Sequence, residues 1–334
     1  MIGHTRGDRS DQVVVITGAS SGIGRATALA FARRGARLVL AARSASSLDE
    51  VAAECADHGV QVRVVPTDVS DEAQVRALVQ TTVEAFGRID VCVAGASVYS
   101  YGTFEQTPPQ VFRQIVETNL FGPINTARAV LPHFRAQGRG VLIIIGSVYS
   151  KITSPYVSPY VTSKFGLLGF TEVLRQELRQ AKDVHVCAVL PATIDTPIYQ
   201  HAANYTGQRI HPLPPVTAPE RVARAVLQAA ARPRPVIVVG QVQRGFIPVH
   251  AFLPRLYNRC IGPVMDTLAL RGGAVAPSAG TVFDPAPETN GITGGWRSGP
   301  WRLVGLAGAT ALAGAVVKGI RSTPARSPRS PRPR

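Results

Sequence analysis

The sequence predicts an α/β fold: a doubly wound parallel sheet with helices covering both faces. Three observations carry that prediction. Short apolar runs alternate with longer amphipathic stretches, a spacing that builds βαβ units with right-handed crossovers. The first apolar run ends in a turn holding three spaced glycines and opens directly into a helical pattern. Finally, 334 residues with 45% apolar content supply enough core for one large domain plus an appendage.

Val13 to Ile16 is the first strand, and Thr17-Gly18-Ala19-Ser20-Ser21-Gly22-Ile23-Gly24 leads from it into a helix over Arg25 to Arg34, closed by Gly35. Gly18 permits the tight turn, Gly22 lets backbone approach a ligand, and Gly24 allows close helix packing. Ser20, Ser21 and Ile23 complete a loop whose helix N-terminus offers N–H groups to a pyrophosphate. The second strand, Arg37 to Ala42, ends at Arg43. An acidic residue there bonds the ribose 2′-hydroxyl of NAD, whereas an arginine accepts the 2′-phosphate of NADP. Arg43 therefore favours NADP over NAD, with an ordinary surface arginine as the alternative.

The pattern repeats with a helix over Ser46 to His58 and a strand over Val60 to Val65. Thr67-Asp68-Val69 follows at the carboxyl end of that strand, where open α/β sheets bind ligands. A helix over Glu72 to Phe86 precedes a strand over Ile89 to Val93, then Ala94-Gly95-Ala96-Ser97. A helical region starts near Pro108 or Pro109 and runs with interruptions to Phe134. It contains Asn119, a poor helix former that needs a reason to sit mid-helix.

Val141 to Ile145 is the fifth strand, followed by Ser147 and a helix that carries Tyr160 and Lys164 to Arg179. Residues four apart leave one helix face a turn apart. A free phenol titrates near ~10, too high for efficient proton transfer at neutral pH, and a neighbouring ammonium favours the phenolate. Ser147, at a strand end, can face that helix and bond a carbonyl or hydroxyl. A strand over Val184 to Leu190, a loop over Thr196 to Val216, a helix over Pro219 to Ala231 and a strand over Val236 to Val239 close the domain.

With these residues in place, Val13 to Gly240 resembles the short-chain dehydrogenase/reductase family. The shared motifs are Thr17-Gly-x-x-x-Gly-x-Gly24, Asp68, Asn119, Ser147, Tyr160-x-x-x-Lys164, Pro191 and Thr196-Pro197, in the family's order and spacing. The resemblance implies a Rossmann-like sheet of seven parallel strands and a catalytic tetrad of Asn119, Ser147, Tyr160 and Lys164. It implies that Tyr160 exchanges a proton with the substrate oxygen and that Lys164 lowers the phenol pKa and bonds the nicotinamide ribose. Ser147 is implied to orient the carbonyl, and Asn119 to hold a relay water by bending its helix. Asp68 and Val69 are implied to meet adenine, and Thr196 the nicotinamide amide. The chain departs from the family at Ala94-Gly95-Ala96-Ser97, where Asn-Asn-Ala-Gly is usual, and at Pro191-Ala192, where Pro-Gly is usual.

The expected reaction is hydride transfer between NADP(H) and a lipophilic carbonyl or secondary alcohol. The alternative is an NAD(P)-binding sensor or scaffold without turnover. The charge of +15 suggests nucleic acid, yet the arginines are scattered and concentrate only in a Pro- and Ser-rich tail over 321–334, so none is expected as a partner. Cys55, Cys92, Cys187 and Cys260 form no C-x-x-C pair, and His201 and His211 in the substrate loop show no ligand spacing; reduced core thiols, no metal and a cytoplasmic setting follow. Residues 1–12 form a polar arm without a signal-peptide pattern, and the catalytic domain is expected over 13–245. An apolar helical extension over 246–270 is either interfacial, touching a membrane or a second subunit, or packed over the substrate loop. Residues 271–300 read as a Gly- and Pro-rich linker. Within 301–320, Leu303 to Val317 is uncharged but shorter than the ~20 residues of a span. Membrane attachment and a cytosolic small-residue helix are equally open there. The resemblance implies a homo-oligomer.

Overall fold

The computed structural model describes residues 11–297. Alternation of strand and helix produces β1 (Val13–Thr17), α1 (Gly22–Ala32), β2 (Arg37–Ala42), α2 (Ala45–Ala56), β3 (Val62–Pro66), α3 (Glu72–Phe86) and β4 (Val91–Ala94). There follow α4 (Pro109–Val116), α5 (Gly122–Gln137), β5 (Gly140–Ile145), α6 (Ser158–Glu177), β6 (Val184–Pro191), α7 (Pro219–Ala231) and β7 (Val236–Val239). The seven strands form one Rossmann-like sheet in the order β7-β6-β5-β4-β1-β2-β3, every pair parallel. The order reverses between β1 and β4, which opens a crevice at the carboxyl ends of those strands.

Two apolar layers explain why the strands read as continuous hydrophobic runs. Val14, Ile16, Leu38 and Leu40 meet Phe31 of α1, Leu48 and Val51 of α2, and Val222 and Val226 of α7 on one face. Val15, Val39, Cys92 and Leu142 meet Leu78 of α3, Phe134 of α5 and Leu167 of α6 on the other. A sheet covered on both faces needs both side-chain rows apolar. Local signals fix the helix ends: the Asp71 carboxylate accepts the Ala73 and Gln74 amides at 2.8 and 3.2 Å to start α3, and Gly87, at φ +71°, ends it.

Several boundaries differ from expectation. Helix α1 begins at Gly22 rather than Arg25, so the glycine turn itself forms the first helical turn. The long helix before β5 is divided by a π turn over Glu117–Phe121 that contains Asn119. The apolar stretch after Gly240 breaks into α8 (Gln241–Arg244), α9 (Phe246–Phe252) and α10 (Pro254–Val264); Leu253 precedes a proline and leaves the helical region. Residues of the 246–270 stretch pack on the domain: Ile261, Met265 and Leu270 cluster with Ile210 and Leu213 of the substrate loop. Phe246, Val249, Tyr257 and Ile261 cover Val148 and Ile152, whereas Phe252 and Leu253 at the break stay exposed.

Residues 271–300 were expected to form a linker, and up to Arg297 they instead lie along the domain. Leu270–Ala274 pairs antiparallel with Gln208–Ile210, and Val282 is wholly buried among Val98, Val111, Ile115 and Ala203. Glycine and proline here suppress regular structure without freeing the chain, because main-chain groups are held one by one by side chains of the domain. Cys55, Cys92 and Cys187 are buried and all four cysteines are free, but Cys260 is only half-buried and lines the crevice rather than the core. Among the described residues no helix is long and apolar enough to cross a membrane, and no cluster of His, Cys, Asp or Glu could hold a metal. The segments 301–320 and 321–334, and residues 1–10 of the arm, lie outside the described residues.

Candidate active site

The crevice gathers nearly every residue singled out in the sequence. Its walls include Gly18, Ser20, Ser21, Gly22, Ile23, Gly24, Arg43, Asp68, Val69, Ser147, Tyr160, Lys164 and Thr196, around a cavity of about 280 Å³. Asn119 stands just behind this wall.

The glycine turn is shaped by close approach. Gly22 has φ +51°, and a Cβ placed on it would come within 3.0 Å of the Thr196 methyl, so the loop after β1 and the loop after β6 face each other across a gap only glycine leaves open. A Cβ on Gly18 would meet the Ala96 backbone at 2.7 Å, which ties the same turn to the end of β4. The Thr17 hydroxyl receives the Gly95 amide at 3.1 Å. Asn119 adds a second tie: its carboxamide oxygen accepts the Val98 amide at 2.8 Å and the Ser97 hydroxyl at 3.1 Å, while its amide donates to the Val98 carbonyl at 2.8 Å. The altered Ala94–Ser97 stretch is thus held through Thr17 and Asn119. In this structure the Asn119 side chain is bonded to the Val98 backbone and the Ser97 hydroxyl.

Ser147 caps a single 3-10 turn, its hydroxyl accepting the Tyr149 amide at 3.1 Å. Tyr160 and Lys164 project from α6 toward it, buried to within 8% and 1% exposure. Burial pushes the Tyr160 phenol up to about 12, opposed by the nearby Ser147 and Ser97 hydroxyls. Burial also pushes Lys164 down to about 7; its ammonium donates to the Ile145 carbonyl at 3.2 Å and lies 5.4 Å from the Tyr160 ring centre. Here the Lys164 ammonium faces the Tyr160 ring and the Ile145 carbonyl. The lysine is itself too desolvated to hold a full charge at neutral pH.

Arg43 does not project freely into the crevice. Its guanidinium donates to the carbonyls of Thr281 and Phe283, both at 2.6 Å, and of Val282 at 3.2 Å. Asp68 accepts the Ser70 amide and hydroxyl at 2.9 and 2.7 Å, an arrangement that fixes its carboxylate at the end of β3. His201 pairs with Thr289, and His211 lies edge-on to Trp296.

Sequence reading missed the aromatic chamber. Six of the eight tyrosines line the crevice: Tyr99, Tyr101, Tyr149, Tyr160, Tyr199 and Tyr257. The Tyr99 ring meets Tyr160 edge-on with centroids 4.2 Å apart, and Tyr149 does so at 6.2 Å. The signal was available in part, since Tyr99, Tyr101, Tyr149 and Tyr199 follow directly after strands β4, β5 and β6, where ligand loops lie.

A family model described as short chain dehydrogenase matches residues 12–205. An uncharacterised oxidoreductase of Bacillus subtilis (strain 168), YxnA, is 36% identical over 258 residues, covering 76% of this chain and 72% of that protein. An alcohol dehydrogenase from Thermococcus sibiricus, solved with 5-hydroxy-NADP, superimposes with a TM-score of 0.60 at 30% identity, over 69% of this chain and 95% of its own. A short-chain dehydrogenase/reductase from Burkholderia phymatum, solved with NAD, gives 0.67 at 25% identity, over 75% and 96%.

Proposed function

This chain belongs to the short-chain dehydrogenase family of oxidoreductases, and from that premise we propose that it moves a hydride between NADP(H) and a lipophilic ketone or secondary alcohol, with Tyr160 as acid and base. The observation that carries this reading is the convergence of Ser147, Tyr160 and Lys164 on one crevice with the glycine turn and Thr196. The crevice fits a nicotinamide dinucleotide on its own terms, because the gap between Gly22 and Thr196 is one that any side chain would fill. On this reading Ser20, Ser21 and Ile23 at the α1 N-terminus would hold its pyrophosphate, Asp68 and Val69 its adenine side, and Thr196 and Lys164 its nicotinamide side. When bound, the nicotinamide supplies or accepts the hydride.

The protein's own groups handle the oxygen and its proton. Ser147 orients the substrate oxygen toward the phenol. In reduction, Tyr160 gives its hydroxyl proton to that oxygen as negative charge develops on it; in oxidation it takes the proton back. A phenol at about 12 is a competent donor but a reluctant base, so Lys164 must regain charge to favour the phenolate. Lys164 would gain further hydrogen-bond partners from the ribose hydroxyls of a bound dinucleotide, beside the Ile145 carbonyl it already meets. The six tyrosines, together with Leu213, Val249 and Ile261, favour an apolar, ring-bearing substrate.

A second reading of the cofactor rests on Arg43. With three of its donors committed to carbonyls, the arginine has less to offer a 2′-phosphate, and NAD(H) then serves. Arg43→Ala separates the two: NADP(H) affinity falls at least tenfold relative to NAD(H) affinity only where Arg43 reads the phosphate. An absorbance screen of NADPH and NADH oxidation across aliphatic, aromatic and steroid-like ketones tests the activity. Dinucleotide binding with no substrate-dependent oxidation anywhere in such a panel would instead support a sensor or scaffold.

A further inference from the structure

The segment after Val282 crosses the whole dinucleotide crevice. Its first end is anchored by the buried Val282 side chain and by Arg43 on the carbonyls of residues 281–283. Its far end is clasped by Asp195, one carboxylate oxygen of which accepts the Gly294 amide at 3.1 Å and the Trp296 amide at 2.9 Å. The Trp296 indole also donates to the Thr196 carbonyl at 3.3 Å. Between these ends the backbone is buttoned to the glycine turn. The Asn290 side-chain Nδ2 donates to the Ser47 hydroxyl, the Asn290 main-chain carbonyl accepts from Arg25 at 2.7 Å, and the Gly291 carbonyl accepts the Gly22 amide at 3.0 Å. Thr281, Pro285, Ala286 and Asn290 line the same cavity as Asp68, Tyr160 and Lys164.

The contacts follow the path a dinucleotide takes, from the Arg43 end through the first turn of α1 to the loop holding Thr196. The Gly291 carbonyl is the informative one. It places a partial negative charge on the first-turn amide that a pyrophosphate would meet, so strap and pyrophosphate cannot both hold Gly22. Val282 itself is buried among Val98, Val111, Ile115 and Ala203 and does not line the crevice.

We propose that Asp284 to Gly294 is a strap that stands in for the pyrophosphate at Gly22, and that dinucleotide binds by displacing it, so that the strap sets cofactor affinity and exchange. This rests on the dinucleotide reading above but not on the choice between NAD and NADP. Only the unbuttoned fraction is competent to bind, so the apparent dissociation constant is the intrinsic one divided by that fraction. Weakening the buttons at Asp195 and Asn290 raises the fraction and tightens binding.

The test has two arms on the full-length protein. In hydrogen exchange of the unmodified chain, saturating NADH or NADPH is expected to speed exchange in the peptide holding residues 284–296 while slowing it in the glycine turn. In equilibrium titration, Asp195→Ala/Asn290→Ala is expected to bind both dinucleotides about tenfold tighter than the parent. Joint protection of strap and turn, or unchanged or weaker binding by the variant, would overturn the strap while leaving the dinucleotide site intact. Binding of neither dinucleotide to either protein would overturn both.

Discussion

Lys164 offers a test of site electrostatics that needs no substrate. Its ammonium is buried, with the Ile145 carbonyl at 3.2 Å and the face of Tyr160 as its partners in the site, and burial lowers its pKa from 10.5 to about 7. Between those two values the unfolded chain keeps a proton that the folded chain has released. Raising the pH across that window therefore favours the folded state, and the benefit is lost as pH falls back through about 7. From pH 7 to about 8.5 the folded lysine goes from half to almost fully neutral while the unfolded one stays protonated, a gain of roughly 1–2 kcal/mol. The window stops there because Cys55 and Cys92, pushed up to about 12 from 9.0, act in the opposite direction above it. Urea denaturation of the dinucleotide-free protein and of Lys164→Met at both pH values measures the difference. The parent should gain that amount relative to the variant, whose methionine keeps the stem but cannot titrate. Equal pH slopes for the two would refute a desolvated lysine and imply a fully paired ammonium.

Two further outcomes follow from the same geometry. Gly22→Ala forces a side chain into φ +51° and against the Thr196 methyl; it should cost about 1–2 kcal/mol of stability and weaken dinucleotide binding at least tenfold in a fluorescence titration. Asn119→Ala strands the Val98 amide and carbonyl, both bonded at 2.8 Å, and should lower stability by roughly 2–4 kcal/mol, read as a drop in denaturation midpoint.

What was legible in the sequence was what local spacing encodes. The glycine turn, the four-residue step from Tyr160 to Lys164 and the strand-ending Ser147 are each fixed by a few consecutive residues, and all stand in the crevice. Asn119 was legible as a misfit in a helix; the π turn explains the misfit. Its grip on Val98 was not legible, because that partner lies 21 residues away. The strap was misread as a linker for a deeper reason. Its bonds to Gly22, Arg25 and Arg43 use backbone carbonyls, which every residue carries, and Asn290 reaches a serine 243 residues distant. Composition records where regular structure is absent, and main-chain docking leaves no mark in it. The protonation of Tyr160 was likewise invisible, since desolvation depends on what covers the ring, here Tyr99 and Tyr149 from two separate loops.

The most direct test of hydride transfer assisted by Tyr160 is the single-turnover oxidation of bound NADPH or NADH by a ketone found in the screen, compared between the parent and Tyr160→Phe. The phenylalanine keeps the ring packing but has no proton to give. The hydride-transfer rate should fall about 10²–10⁴-fold with the dinucleotide dissociation constant within about twofold of the parent. An unchanged rate in the variant would contradict the role assigned to Tyr160.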